Sequence, residues 1–189
     1  MIDKKDFKVI KSKLEEYDSK REELIKKSRE LLKSSKKLIY ALHRENKKEI
    51  NELLKEVKQA KLELDKIASS VKGLFFEGSY SEAIQEYVEA MAYHGYLILK
   101  KIPSSSELKV AEEDFLMGIS DLTGELTRRA VKIAHTGKKE LSEIKELVDD
   151  IFGEFLDFDL RNGNLRKKAD SIKWNVKKLE EVMYDVLKK

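Results

Sequence analysis

The chain has 189 residues, 41% hydrophobic and 40% charged, with a formal net charge of +3, a size that suits one domain spanning residues 1–189 with a real core. No uncharged run approaches the roughly 20 apolar residues needed to cross a bilayer, so no membrane partner is expected. The charged N-terminus does not read as a signal peptide. With no cysteine, disulfides, thiolate zinc sites and cysteine nucleophiles are excluded, and a reducing, cytoplasmic setting is expected.

In chain order, the first predicted element runs from about Lys4 to Arg44. Phe7, Ile10, Leu14, Tyr17, Leu24, Leu31, Leu38 and Leu42 fall on alternating steps of three and four, with Arg21, Ser28 and Ser35 occupying positions on the same stripe. This is a heptad-like seam on a helix about 60 Å long at 1.5 Å per residue, and such a helix must pack along partners. A second helix is predicted over residues 47–72, with Ile50, Leu53, Val57, Ala60, Leu64, Ile67 and Val71 inward. Residues 73–79 break the chain, and Ser79 with Glu82 forms an S-x-x-E pattern that predicts a capping box. The third helix, over 81–100, carries apolar residues all round, from Ala83 and Ile84 to Ile98 and Leu99, and so reads as buried.

A linker around Pro103, the only proline, is followed by a second capping pattern at Ser104 and Glu107. Helices over 110–134, 139–156 and 165–187 complete the chain. Their apolar faces carry Phe115, Ile119, Leu122 and Leu126, then Leu141, Ile144, Val148 and Phe155, then Ala169, Ile172, Val176 and Leu179. No β alternation and no repeat is present. The expected fold is all-α, a six- or seven-helix bundle with a long N-terminal helix.

Charge is unevenly spread. Residues 1–72 hold 21 basic against 14 acidic side chains, residues 73–160 hold 9 against 18, and residues 161–189 hold 9 against 4. Basic ends can hold a polyanion, and clustered carboxylates can hold a hard cation. Most of the acids read as partners of lysines on solvated faces. Glu86 and Glu89 differ. They lie about 60° apart on the helix that reads as buried all round, in a stretch without Lys or Arg between residues 73 and 99. A buried carboxylate must be paired, metal-bound or protonated. Asp121 and Glu125 form a second pair, four apart on the next long helix, with Gly118 one turn before. Two carboxylates from each of two helices would make an oxygen-rich site suited to Mg²⁺, with Mn²⁺ as the alternative. A di-iron bundle would need Glu-x-x-His motifs, which are absent. Spacing alone leaves the metal site open beside a salt-bridge network, and leans to the network.

Several segments resemble the translin and translin-associated factor X family. They are Gln85-Glu86-Tyr87-Val88-Glu89-Ala90, the run from Asp114-Phe115-Leu116-Met117-Gly118 through Asp121-Leu122-Thr123-Gly124-Glu125-Leu126, the stretch from Ser28-Arg29-Glu30 to Leu42-His43-Arg44, and the tail from Asn164-Leu165-Arg166-Lys167-Lys168 to Met183-Tyr184-Asp185. The resemblance covers nearly the whole chain in order. It implies an all-helical subunit of an octameric shell that binds RNA, with single-stranded DNA as a second ligand. It also implies, for the factor X type, an Mg²⁺-dependent endoribonuclease site at Glu86, Glu89, Asp121 and Glu125. A chain with both the catalytic-type acids and a translin-like tail is similar to an archaeal-type member that self-assembles into a homo-oligomer. The resemblance reverses the odds on the acids. Arg21, Arg29, Lys36 and Arg44 on the first helix are the candidate RNA contacts, against a reading as solvated surface or, for Arg21, an interface contact on the seam. The competing function is a non-catalytic nucleic-acid-binding shell, and a third class is a purely structural helical assembly.

Overall fold

The computed structural model describes residues 2–188. Every regular element among the described residues is helical, with seven α-helices and no strand. The chain divides into two compact units, residues 1–87 and 88–189.

In the first unit, helix α1 spans Lys4–Arg44, with Asp3 as its N-cap accepting from the backbone N–H groups of Lys5 and Asp6. It ends where Glu45 takes a left-handed conformation at φ 57°. Asn46 then caps α2, Lys47–Ala68, by accepting from the Glu49 N–H. The two-residue turn makes α1 and α2 an antiparallel hairpin. Its core is Leu24, Leu31, Leu38 and Leu42 with Ile50, Leu53, Val57 and Leu64, all buried. The seam expected on α1 is thus half covered within the chain: Phe7, Ile10 and Leu14 are exposed. α2 stops four residues short of the sequence expectation. Ser69 and Ser70 turn their hydroxyls back onto the Lys66 and Ile67 carbonyls, a local bond that competes with helix propagation. Gly73, at φ 103°, then leads into a single 3₁₀ turn, Leu74–Phe76.

Helix α3, Gly78–His94, begins in the first unit and continues into the second. The predicted capping box at Ser79 and Glu82 does not form. The Glu77 carbonyl instead accepts from Tyr80 and Ser81, while its carboxylate is held by the Tyr17 hydroxyl at 2.5 Å and the Arg21 Nε at 2.9 Å. With Glu77 pinned, the helix starts earlier, and Ser79 falls inside the first turn with its Oγ buried and unbonded. As expected, α3 is buried over most of its surface from Ala83 to His94. The helix ends before residue 100, however. Gly95–Leu99 form a widened π-type turn closed by Lys100 at φ 54°, and this turns Ile98 and Leu99 out to solvent. A Cβ on Gly95 would stand 2.4 Å from the Lys101 carbonyl oxygen, so only glycine fits that turn.

The rest of the second unit follows the expected order. Ser104 and Glu107 form the predicted capping box on a one-turn helix, α4, Ser105–Leu108. Then come α5, Glu112–Ile133, α6, Lys138–Leu156, and α7, Asn164–Leu187. These last three pack on one another. Leu122 and Leu126, Ile144 and Val148, and Ile172 and Leu179 lie fully buried at their contacts.

Candidate metal and nucleic-acid site

Four carboxylates single themselves out by position. Glu86 and Glu89 are on α3. Glu89 is buried, at 8% exposure, and the Glu86 side chain is 18% exposed. Asp121 and Glu125 are on α5 in the second unit, one turn apart and partly buried. Their donor set is entirely carboxylate oxygen, the chemistry that hard divalent cations take. Each of three has a cation close by. In the first unit, the Lys36 Nζ of α1 stands 3.7 Å from the Glu86 Oε2. In the second, Lys168 of α7 donates to the Asp121 carboxylate, and the Arg128 Nη1 lies 3.6 Å from the Glu125 Oε2. The local sequence around Glu86 holds no cation, and the fold brings one from α1. Among the described residues, no three carboxylate or imidazole groups are gathered as a metal cluster. Carboxylate oxygens are donors that Mg²⁺ takes, while Glu86, Asp121 and Glu125 as they stand rest on ammonium and guanidinium groups.

A second layer backs the acids in the second unit. Arg129, one turn after Glu125, is buried and grips Glu140 of α6, Nε to Oε1 at 2.5 Å and Nη2 to Oε2 at 3.3 Å. It also donates to the phenol of Tyr93, one turn after Glu89 on α3 and fully buried. Burial pushes the Tyr93 phenol well above its usual range, against the opposing pull of Arg129. The Tyr96 phenol is pushed up to about 12, by burial first and then by the charges of Glu140 and Glu143. Tyr93, Arg129 and Glu140 thus tie α3, α5 and α6 together beside two of the candidate acids. From sequence, Arg129 reads only as a possible partner of Glu125 beside Arg128; in the structure Arg128 lies near Glu125, and Arg129 goes to Glu140. The clamp itself and Lys168 are not read from sequence. The only signal for Lys168 was its place in the family-like tail, and Glu140 had none.

The four candidate RNA contacts meet different fates on α1. Arg21 is engaged with Glu77 at the turn before α3. Arg29 is exposed. Lys36 is exposed with its ammonium near Glu86. Arg44 stacks 4.6 Å from the Tyr40 ring centroid and pairs with Glu49 at 2.6 Å. Arg44 on an exposed Tyr40 offers a planar cation and a ring, both of which suit bases and phosphates.

A Translin family model matches residues 19–187. The chain belongs to the translin family. An uncharacterized protein of Methanocaldococcus jannaschii is 31% identical to it over 137 residues, which is 70% of this chain and 60% of that protein. Translin of Gallus gallus is 37% identical over 75 residues, 39% of this chain and 33% of that one. The matches therefore span less than two thirds of these relatives' own length. The crystal structure of apo-NeC3PO superposes with a TM-score of 0.87 at 26% identity, covering 98% of both chains. The structure of an AfC3PO complex with duplex RNA does so with a TM-score of 0.77 at 28% identity, covering 95% of both. The translin-like, all-α fold expected from the sequence is the one found. No helix among the described residues is long and apolar enough to cross a membrane.

Proposed function

We propose that this translin-family chain is an RNA-binding, Mg²⁺-dependent endoribonuclease that works as a homo-oligomer, octameric by family resemblance. One observation carries the reading. A carboxylate pair on each of two helices, with one member, Glu89, buried, occurs in a chain whose fold matches a protein solved with duplex RNA over 95% of its length. Glu86, Glu89, Asp121 and Glu125 are assigned to hold the cation. When bound, Mg²⁺ supplies an activated water and offsets the charge that builds on the phosphate. With a cation bound, Glu86 and Asp121 would no longer need Lys36 and Lys168 as partners, and the exposed Lys36 would be placed to meet a phosphate. Arg29 and Arg44 hold the RNA backbone, with Tyr40 as a stacking face, and single-stranded DNA could use the same groups.

The second reading, a non-catalytic RNA- or DNA-binding shell, is favoured by the cations that already neutralise the acids and by the lack of a three-group metal cluster among the described residues. Glu89→Gln separates the two. It keeps the shape and removes the charge a hard cation needs. With labelled RNA, Mg²⁺-dependent cleavage should drop by orders of magnitude, while RNA retention on filters and particle size hold. If Glu89 instead sits in a buried salt-bridge network, the same change costs about 3–5 kcal/mol of stability, and any cleavage survives below the lowered melting point. Full Mg²⁺-dependent activity in Glu89→Gln would rule out the site.

A further inference from the structure

The first 13 residues of α1, residues 4–16, form an arm about 20 Å long at 1.5 Å per residue. Among the described residues nothing covers it: every residue from 4 to 16 is exposed. The arm nevertheless continues the heptad seam of the buried part of α1. Phe7, Ile10 and Leu14 are 58%, 45% and 60% exposed, on the same stripe as buried Leu24, Leu31 and Leu38. A seam that runs beyond its partner marks a surface built to be covered.

The second unit has an equally unpartnered feature. α6, the loop after it and α7 enclose a cavity of about 280 Å³ whose apolar lining is Phe152, Phe155, Leu156, Phe158 and Leu160. Leu156 and Phe158 are exposed. The volume falls below the roughly 300–1,000 Å³ of pockets that take drug-sized ligands, and it suits one or two inserted side chains. The charges are opposite. The arm, residues 4–16, has five lysines against Asp6, Glu15 and Glu16, whereas residues 150–160 carry Asp150, Glu154, Asp157 and Asp159 with no Lys or Arg. Arg166, Asp170 and Lys173 lie on the α7 lip.

We propose that the α1 arm of one copy docks in the α6–α7 cavity of a second copy. Phe7, Ile10 or Leu14 fills the cavity, and the arm's lysines face Asp157 and Asp159. Arm-to-arm pairing is disfavoured, since it would set two lysine-rich segments side by side. The contact is heterologous, head to tail, and such contacts close into rings when the rotation permits. This rests on the homo-oligomeric part of the proposed function and names its interface.

The cysteine-free sequence makes the test clean. Leu14→Cys and Leu156→Cys, both at exposed positions, are combined in one chain, oxidised and run on a denaturing gel. The double variant should give a ladder of covalent multimers that collapses on reduction, and neither single variant should give a dimer. A dimer from Leu14→Cys alone means arm-to-arm pairing and overturns the proposal. So does a bridge confined to monomers, a dimer from Leu156→Cys alone, or no product from a protein that light scattering shows to be oligomeric. A monomer in light scattering would sink the assembly reading as well. As a second measurement on the cysteine-free protein, Lys8→Glu with Lys11→Glu should raise the dissociation constant about tenfold or more. Adding Asp157→Lys and Asp159→Lys should bring it back, and failure of that rescue also overturns the assignment.

Discussion

Glu140→Gln probes the clamp behind the acids. The substitution keeps the size of the side chain and removes the charge that faces Arg129. The two side chains are 10% and 27% exposed, so the pair lies between the surface and buried limits. An exposed ion pair is worth about 0–1 kcal/mol, and removing one partner of a fully buried pair costs about 3–5 kcal/mol. The residual exposure of Glu140 and the hydrogen bond from Arg129 to Tyr93 soften the loss, which places the cost at about 2–3 kcal/mol. For a chain of this length each kcal/mol moves the melting point by about 2–4 °C, so a fall of roughly 4–12 °C is expected by calorimetry. A second readout is the tyrosine titration, compared at pH values where both proteins stay folded. The charge of Glu140 raises the pKa values of both Tyr93 and Tyr96, so in Glu140→Gln these phenols should ionise at lower pH, seen as tyrosinate absorbance. Removing both partners, as Arg129→Met with Glu140→Leu, should recover most of the stability, because an apolar pair leaves no buried charge. A fall of less than about 4 °C, the range of an exposed pair worth about 0–1 kcal/mol, together with an unmoved tyrosinate titration, would refute the claim that Arg129 depends on Glu140.

Two further outcomes follow from the structure. Gly95→Ala places a Cβ 2.4 Å from the Lys101 carbonyl oxygen and 2.9 Å from the Pro103 Cδ; it should cost about 1–3 kcal/mol by overpacking, read by urea denaturation, and an unchanged midpoint would mean the turn opens freely. Tyr87 and Tyr96 both have pKa values pushed up to about 12, chiefly by burial, so the folded chain keeps phenol protons that the unfolded chain loses from about pH 10. Stability should therefore be unaffected below pH 10 and fall between pH 10 and 12, with Tyr87→Phe flattening that fall in denaturation curves taken across the range.

Much of the local structure is legible along the chain. The bounds of α1 follow from the extent of its apolar stripe and from the polar Arg44-Glu45-Asn46 stretch that ends it, and the Ser104–Glu107 box is read correctly because both of its bonds lie within four residues. The Ser79–Glu82 pattern is just as regular and fails. Its outcome depends on Glu77 being held by Tyr17 and Arg21, some 60 residues away in sequence. The end of α3 is likewise missed, because the turn at Gly95 answers to its close approach to Lys101 and Pro103 and not to any loss of apolar pattern.

The candidate site divides in the same way. Glu86, Glu89, Asp121 and Glu125 stand out from sequence because charge on an apolar helix face is costly, and cost is visible in a pattern. What stands beside them is not. Lys36 near Glu86, Lys168 on Asp121 and the Tyr93–Arg129–Glu140 clamp join helices far apart in the chain. By itself, the sequence determined the helices and the family and singled out the four acids as candidates, since periodicity, caps and segment likeness are local properties. Tertiary structure alone decided that Lys36 stands beside Glu86 and Lys168 beside Asp121, and which half of the α1 seam finds cover. Pairing and burial depend on distances between residues that the chain order does not constrain.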